Sequence, residues 1–152
     1  YHAKLPIFGV CFGHQLIAQT LGGHVEKSVK GWGLGLHTYK INNKTSYMGN
    51  LSEDLTLNIC HQDQVIQPPE GATVYASSEF CENAGFYIND KVFTMQAHPE
   101  FMVDFTKALL NVRREVIIPK EFVDPALVKL NASPESVQSK EFAVTIRQFF
   151  SS

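Results

Sequence analysis

The chain has 152 residues, 44% of them hydrophobic, 18% charged and 11% aromatic, with a formal net charge of -2. That length and composition describe one folded domain with a sizeable core and exclude a disordered or fibrous chain. The scattered Lys and Arg form no basic face, and no apolar run approaches the roughly 20 residues that cross a bilayer, so neither nucleic acid nor a membrane is expected as a partner.

Leu5 to Val10, close behind the opening Tyr1, reads as a short buried strand. His14 to Leu21 follows as a helix closed by Gly22-Gly23. Cys11 falls on the turn between them. A side chain on a sharp strand-to-helix turn projects away from the backbone. Gly9 and Gly13 are expected to relieve crowding where strand and helix approach. The helix N-terminus, with its unpaired N–H groups, favours negative charge on a nearby sulfur. Two readings of Cys11 stand at this point, a reactive nucleophile and a buried structural cysteine. The three cysteines, Cys11, Cys60 and Cys81, show no framework spacing, and no signal segment opens the chain. A cytoplasmic location with free thiols is expected.

His24 to Lys30 reads as a strand, and Leu36 to Ile41 as another, in a hairpin-like excursion around Gly31-Trp32-Gly33-Leu34-Gly35. Those glycines lack the Gly-Lys-Ser/Thr ending of a phosphate loop and open no helix. Tyr47 to Leu51 reads as short helical or irregular chain. Leu55 to Cys60 reads as a strand that delivers His61-Gln62-Asp63-Gln64-Val65, a polar cluster at a strand end. Strand ends of α/β sheets bind ligands, but a loop in which Asp63 and Gln64 merely cap backbone groups has the same composition. Thr73 to Ser77 is a further strand. Phe86 to Ile88, a turn at Asn89-Asp90 and Lys91 to Gln96 form a hairpin.

That hairpin delivers Ala97-His98-Pro99-Glu100. Proline holds His98 in extended geometry, and residues two apart in extended chain point to the same side. Glu100 can therefore orient the His98 imidazole while its other nitrogen serves a thiol. Nucleophile, base and orienter would then be Cys11, His98 and Glu100. Phe101 to Val112 carries apolar residues at Phe101, Phe105, Leu109 and Val112, spaced as one helical face. Asp124-Pro125 and Ser133-Pro134 each pair an N-cap with a first-turn proline, predicting two short helices, the last reaching Phe149 or Phe150. The other histidines and cysteines are scattered, so neither a zinc site nor another cofactor is expected.

Gly9-Val10-Cys11-Phe12-Gly13-His14-Gln15 with Gln96-Ala97-His98-Pro99-Glu100 resembles the two signatures of a class I glutamine amidotransferase domain. The resemblance runs from Pro6 through the helix after Glu100. The segments Gly31 to Gly35 and His61-Gln62-Asp63 look most like the stand-alone, GMP-synthase-like members. It implies an α/β fold with a doubly wound, mostly parallel, flavodoxin-like sheet flanked by helices, with residues 1–152 a single partial domain and 115–152 a helical extension. By resemblance, Cys11 attacks the side-chain amide of glutamine to form a thioester, His98 serves as base and acid, and Glu100 orients it. Phe12 supplies an oxyanion N–H, Gln15 lines the substrate pocket, and His61, Gln62 and Asp63 meet the substrate's amino-acid end. No cofactor is implied.

The strands and the second oxyanion loop that precede the cysteine in that family are not in this sequence, which makes an amino-terminally truncated domain the expectation. Loss of one such donor costs about 10² to 10³ in turnover, so the fragment is expected to be weakly active or inactive. The leading activity is a glutaminase that hands ammonia to a separate synthetase. A γ-glutamyl peptidase or hydrolase using the same three residues is the alternative, and a regulatory or binding module is the non-enzyme alternative.

Overall fold

The computed structural model describes residues 5–49 and 51–152. Six strands form one sheet in the order β1 (Ile7–Val10), β8 (Val92–Met95), β7 (Gly85–Ile88), β6 (Thr73–Ser77), β3 (Gly33–Ile41) and β4 (Asp54–His61). The remaining strands, β2 (His24–Lys27) and β5 (Asp63–Gln67), pair antiparallel in a small separate ribbon. The α/β class is as expected. Its parallel pairing lies between β1 and β8, and the other described ladders are antiparallel, because short turns join β6, β7 and β8 in succession.

Helices cover both faces. The strand β8 is buried at all four positions, so its residues alternate between two layers. Val92 packs with Ala18 of α1 (Phe12–Thr20), Val65, Phe86 and Ile88 on one side. Phe93 and Met95 pack on the other with Phe142 and Phe149 of α4 (Ser139–Ser151). Phe93 is the hub there. Its ring centroid lies 5.1 to 5.7 Å from those of Phe8, Tyr47, Tyr75, Phe142 and Phe149. A third cluster joins Leu34 and Leu36 of β3 to Leu110 of α2 (Val103–Arg113) and to Val123, Ala126 and Leu130 of α3 (Lys120–Ala132).

Four local expectations change. The strand at His24 pairs with β5 rather than with Leu36 to Ile41, because the second strand finds a longer partner in β4. Helix α2 begins after Phe101 and buries Val103, Thr106 and Leu110, leaving Phe105 and Val112 exposed. Its sequence carries two apolar stripes, and contact with α3 and β3 selects between them. Asp124-Pro125 opens no helix: α3 starts at Lys120, with Pro125 inside it. Burial of Val123 beside Leu34 and Leu36 extends the helix upstream, and Asp124 pairs with Arg114 at 2.7 and 2.9 Å instead of capping. Ser133-Pro134 opens only a 3-10 turn, Pro134–Ser136, before α4. Among the described residues no helix is long and apolar enough to cross a membrane.

Truncating the hub removes contacts from the strand and from α4 at once. Phe93→Ala is expected to lower unfolding free energy by about 3–5 kcal/mol, measured by urea denaturation. A loss under about 1 kcal/mol would mean that the surrounding rings collapse into the gap.

Candidate active site

Parallel pairing sets Val10 opposite Met95, so both strands end at the same edge of the sheet. Cys11 leaves β1 there with φ 47 and ψ -102, and its N–H donates to the Met95 carbonyl at 2.8 Å. A positive φ on a non-glycine residue costs of order 1–3 kcal/mol and is held only by its surroundings. The fit around the turn is close. A Cβ on Gly9 would lie 2.6 Å from Ile17 Cδ1 and 2.9 Å from the Gly13 carbonyl carbon. The expected role of Gly13 is corrected: a Cβ there meets nothing within 4 Å, because its side-chain direction opens away from the strand. Its backbone, not its missing side chain, is what Gly9 must clear.

The chain leaving β8 supplies the facing group. His98 Nδ1 lies 2.6 Å from Glu100 Oε1, as the His-Pro-Glu geometry predicts. The His98 ring stacks on Phe101, with centroids 3.9 Å apart and planes at 8°. Its backbone N–H donates to the Asn58 carbonyl at 2.8 Å, and Asn58 Nδ2 donates to the Phe101 carbonyl at 2.9 Å. Buried Asn58 thus ties the turn from both ends. Burial opposes charge on His98, yet hydrogen bonding with Cys11 and Glu100 outweighs it and raises the imidazole from 6.5 to about 9. Burial likewise works against the Glu100 charge, and its bond to His98 overcomes this and holds the carboxyl below its ordinary range.

The other expected residues divide into two groups. Phe12 begins α1 with its side chain 71% exposed, so its backbone is the part near the turn. Its N–H is among those with no intrahelical acceptor. Gln15 is buried and donates through Nε2 to the Asp63 carbonyl at 2.7 Å and to Gln96 Oε1 at 3.2 Å. His61 is 4% exposed at the end of β4, with Nδ1 3.1 Å from the same Asp63 carbonyl. Gln62 is half-buried and spends its carbonyl on the Ser28 N–H at 2.9 Å. The Asp63 side chain is exposed, and its carbonyl is what reaches the site residues.

Residues not singled out beforehand complete the surroundings. Gln96 is fully buried, with Nε2 3.6 Å from Cys11 Sγ. His14 is fully buried, with Nδ1 2.9 Å from Thr94 Oγ1. Both belong to the recognised motifs, but only contact across α1, β5 and β8 assigns them partners. Burial, aided by the competing imidazole of His61, lowers His14 to about 3. Burial also lowers His61 to about 4, against the opposing hydrogen bond of Asp63. Among the described residues no group of three or more His, Cys, Asp or Glu could hold a metal ion. A thiol, a charged imidazole and a helix N-terminus at one end of two paired strands are groups that could serve attack on a carbonyl and protonation of its leaving group.

Comparison with known proteins shows the family. The family described as Glutamine amidotransferase class-I matches residues 1–111. The chain is 37% identical over 135 residues to gamma-glutamyl peptidase 3 of Arabidopsis thaliana, covering 82% of this chain and 53% of that protein. It is 38% identical over 98 residues to a glutamine-hydrolyzing GMP synthase subunit of Sulfolobus acidocaldarius, covering 64% of this chain and 52% of that one. A crystal structure of a glutamine amidotransferase from Thermotoga maritima superposes with a TM-score of 0.79 at 21% identity, covering 97% of this chain and 63% of that chain. This likeness concerns the fold. The chain spans about half the length of the curated relatives it matches.

Two pH effects follow. His14 and His61 stay neutral in the fold and take up protons near 6.5 when unfolded, so the unfolded chain binds more protons as pH falls. Their stabilisation is complete above 6.5 and is lost progressively toward about 4 and about 3, so Tm is expected to fall steadily across that window. A flat Tm between pH 6.5 and about 4.5 would show that these imidazoles ionise inside the native protein. His98 titrates in the opposite sense. Glu100→Gln is expected to move its titration, followed by NMR, downward from about 9.

Proposed function

The chain belongs to the class I glutamine amidotransferase family, and on that premise we propose that the protein hydrolyses the side-chain amide of glutamine through Cys11 and passes ammonia to a separate acceptor. The observation that carries this reading is that Cys11, held at φ 47, and the His98–Glu100 pair, 2.6 Å apart, follow the paired ends of β1 and β8, with His98 hydrogen-bonded to Cys11.

The proposed reaction begins with Cys11 as thiolate and His98 as imidazolium. The sulfur adds to the amide carbon, and the carbonyl oxygen takes negative charge beside the free N–H of Phe12. His98 gives its proton to the amide nitrogen, the C–N bond breaks, and ammonia leaves a glutamyl thioester on Cys11. His98, now neutral, accepts a proton from water as the water oxygen attacks the thioester carbon. The C–S bond breaks, glutamate leaves, and the thiolate–imidazolium pair returns. Glu100 holds Nδ1 throughout, so the imidazole presents Nε2 to the reacting atoms. Gln15, His61, Gln62 and Asp63 are assigned to the substrate's amino-acid end. With both Gln15 N–H groups turned inward, its Oε1 is the atom offered to the substrate ammonium.

The likeness to gamma-glutamyl peptidase 3 supports a second reading, cleavage of a γ-glutamyl peptide by the same three residues. There the leaving group is an amine rather than ammonia. A synthetase partner is proposed from the likeness to the Sulfolobus GMP synthase subunit, and it is required only by the first reading.

Full-length protein given glutamine or γ-glutamyl peptides, with ammonia, free amine and glutamate all measured, distinguishes the two. Glutamine is expected to be the better substrate by kcat/KM, and a preference for the peptide would select the second reading. Cys11→Ser is expected to lose at least about 10³-fold in turnover on either substrate. Retention of wild-type hydrolysis by that variant would sink both readings.

A further inference from the structure

Besides the histidine, a buried side-chain amide reaches the Cys11 sulfur. Gln96 is fully buried one residue beyond β8, and its own N–H donates to the Ala84 carbonyl at 2.7 Å. Its side chain lies between Cys11 Sγ at 3.6 Å and Gln15 Nε2 at 3.2 Å.

Which end of that amide faces the sulfur is decided two residues away. The Asp63 carbonyl is a backbone acceptor and cannot be exchanged for a donor. It lies 2.7 Å from the Gln15 amide, which must therefore present its NH₂ there. The second hydrogen of the same NH₂ then needs an acceptor, and Gln96 Oε1 is in place to be one. With its oxygen committed, Gln96 turns its own NH₂ toward Cys11. Reversing Gln96 alone would set two donors face to face at 3.2 Å, and reversing both amides would set the Gln15 oxygen against the Asp63 carbonyl. One backbone carbonyl at the start of β5 thus fixes the polarity of two buried amides in series.

We propose that Gln96 is a further catalytic residue, whose oriented side-chain N–H stabilises negative charge on the Cys11 sulfur. An N–H bound to an anion is stronger than one bound to a neutral sulfur, so the contact favours the ionised nucleophile before attack. It acts again when the thioester breaks. As the water oxygen bonds to the carbonyl carbon, the C–S electron pair returns to a sulfur that already faces a donor. The helix N-terminus and His98 act from other directions, and Gln96 adds a donor that water cannot replace in its buried position.

This inference rests on Cys11 being the nucleophile, and its test does not use turnover. The rate of Cys11 alkylation by iodoacetamide is followed against pH in the full-length protein, with the adduct located by mass. In Gln96→Met, which keeps the volume and removes the donor, the rate at pH 7 is expected to fall about tenfold or more, with the profile displaced to higher pH. Gln96→Glu keeps an acceptor for Gln15 and places an oxygen against the sulfur, so a larger loss is expected. A wild-type profile in either folded variant overturns the proposal and leaves the role of Cys11 standing, whereas hydrolysis retained by Cys11→Ser overturns that role instead. A readout in the unaltered protein covers the case in which neither variant folds. The Nε2 protons of Gln96, seen by NMR, are expected to shift with the pH midpoint of alkylation, and protons indifferent to it overturn the proposal.

Discussion

The parallel register of β1 on β8 is the constraint from which the site follows. With Val10 opposite Met95, the two strands run out of the sheet side by side, and whatever follows each of them is delivered to one place. Cys11 follows the first, Gln96 and His98 the second. The Cys11 N–H bonded to the Met95 carbonyl extends the ladder to the turn itself, which is how a non-glycine residue is kept at φ 47. Beneath it, β8 is buried on both faces, with Phe93 locked in an aromatic cluster, so the platform has little freedom to shift.

Histidine shows how strongly surroundings set chemistry here. His98 has the Glu100 carboxylate on Nδ1 and a hydrogen bond with Cys11, and these outweigh burial enough to keep it charged. His14 and His61 have only hydroxyl or carbonyl partners in a deeper environment, and they remain neutral. Each also has a buried Nε2 without a hydrogen-bond partner among the described residues. A charged imidazole beside neutral ones concentrates positive charge at the end of β1 and β8 where Cys11 stands.

What could be read before the fold was known was mostly local. Cys11 between a short strand and a helix, and His98 paired with Glu100 across a proline, depend on backbone rules that act over a few residues. The hairpin at Asn89-Asp90 was legible for the same reason, since Asn89 takes the positive φ that such turns demand. The fold departs from the local pattern where two local signals compete. Asp124-Pro125 carries a cap signature, but burial of Val123 and the Arg114 pair pull those residues into the helix. The apolar spacing from Phe101 fits a helix, yet Phe101 is needed against the His98 ring, and a different stripe of α2 meets the core.

By itself the sequence determined the α/β class, the strand–turn–helix around Cys11 and the pairing of His98 with Glu100, because those features are dictated by glycine, proline and residue spacing along a few bonds of chain. The tertiary structure alone decided that β8 lies beside β1, so that residues 11 and 98 meet. It also decided that Gln15 and Gln96 are spent on each other and on the Asp63 carbonyl. Strand order and amide orientation are set by partners 48 to 85 residues away, and no local pattern carries that information.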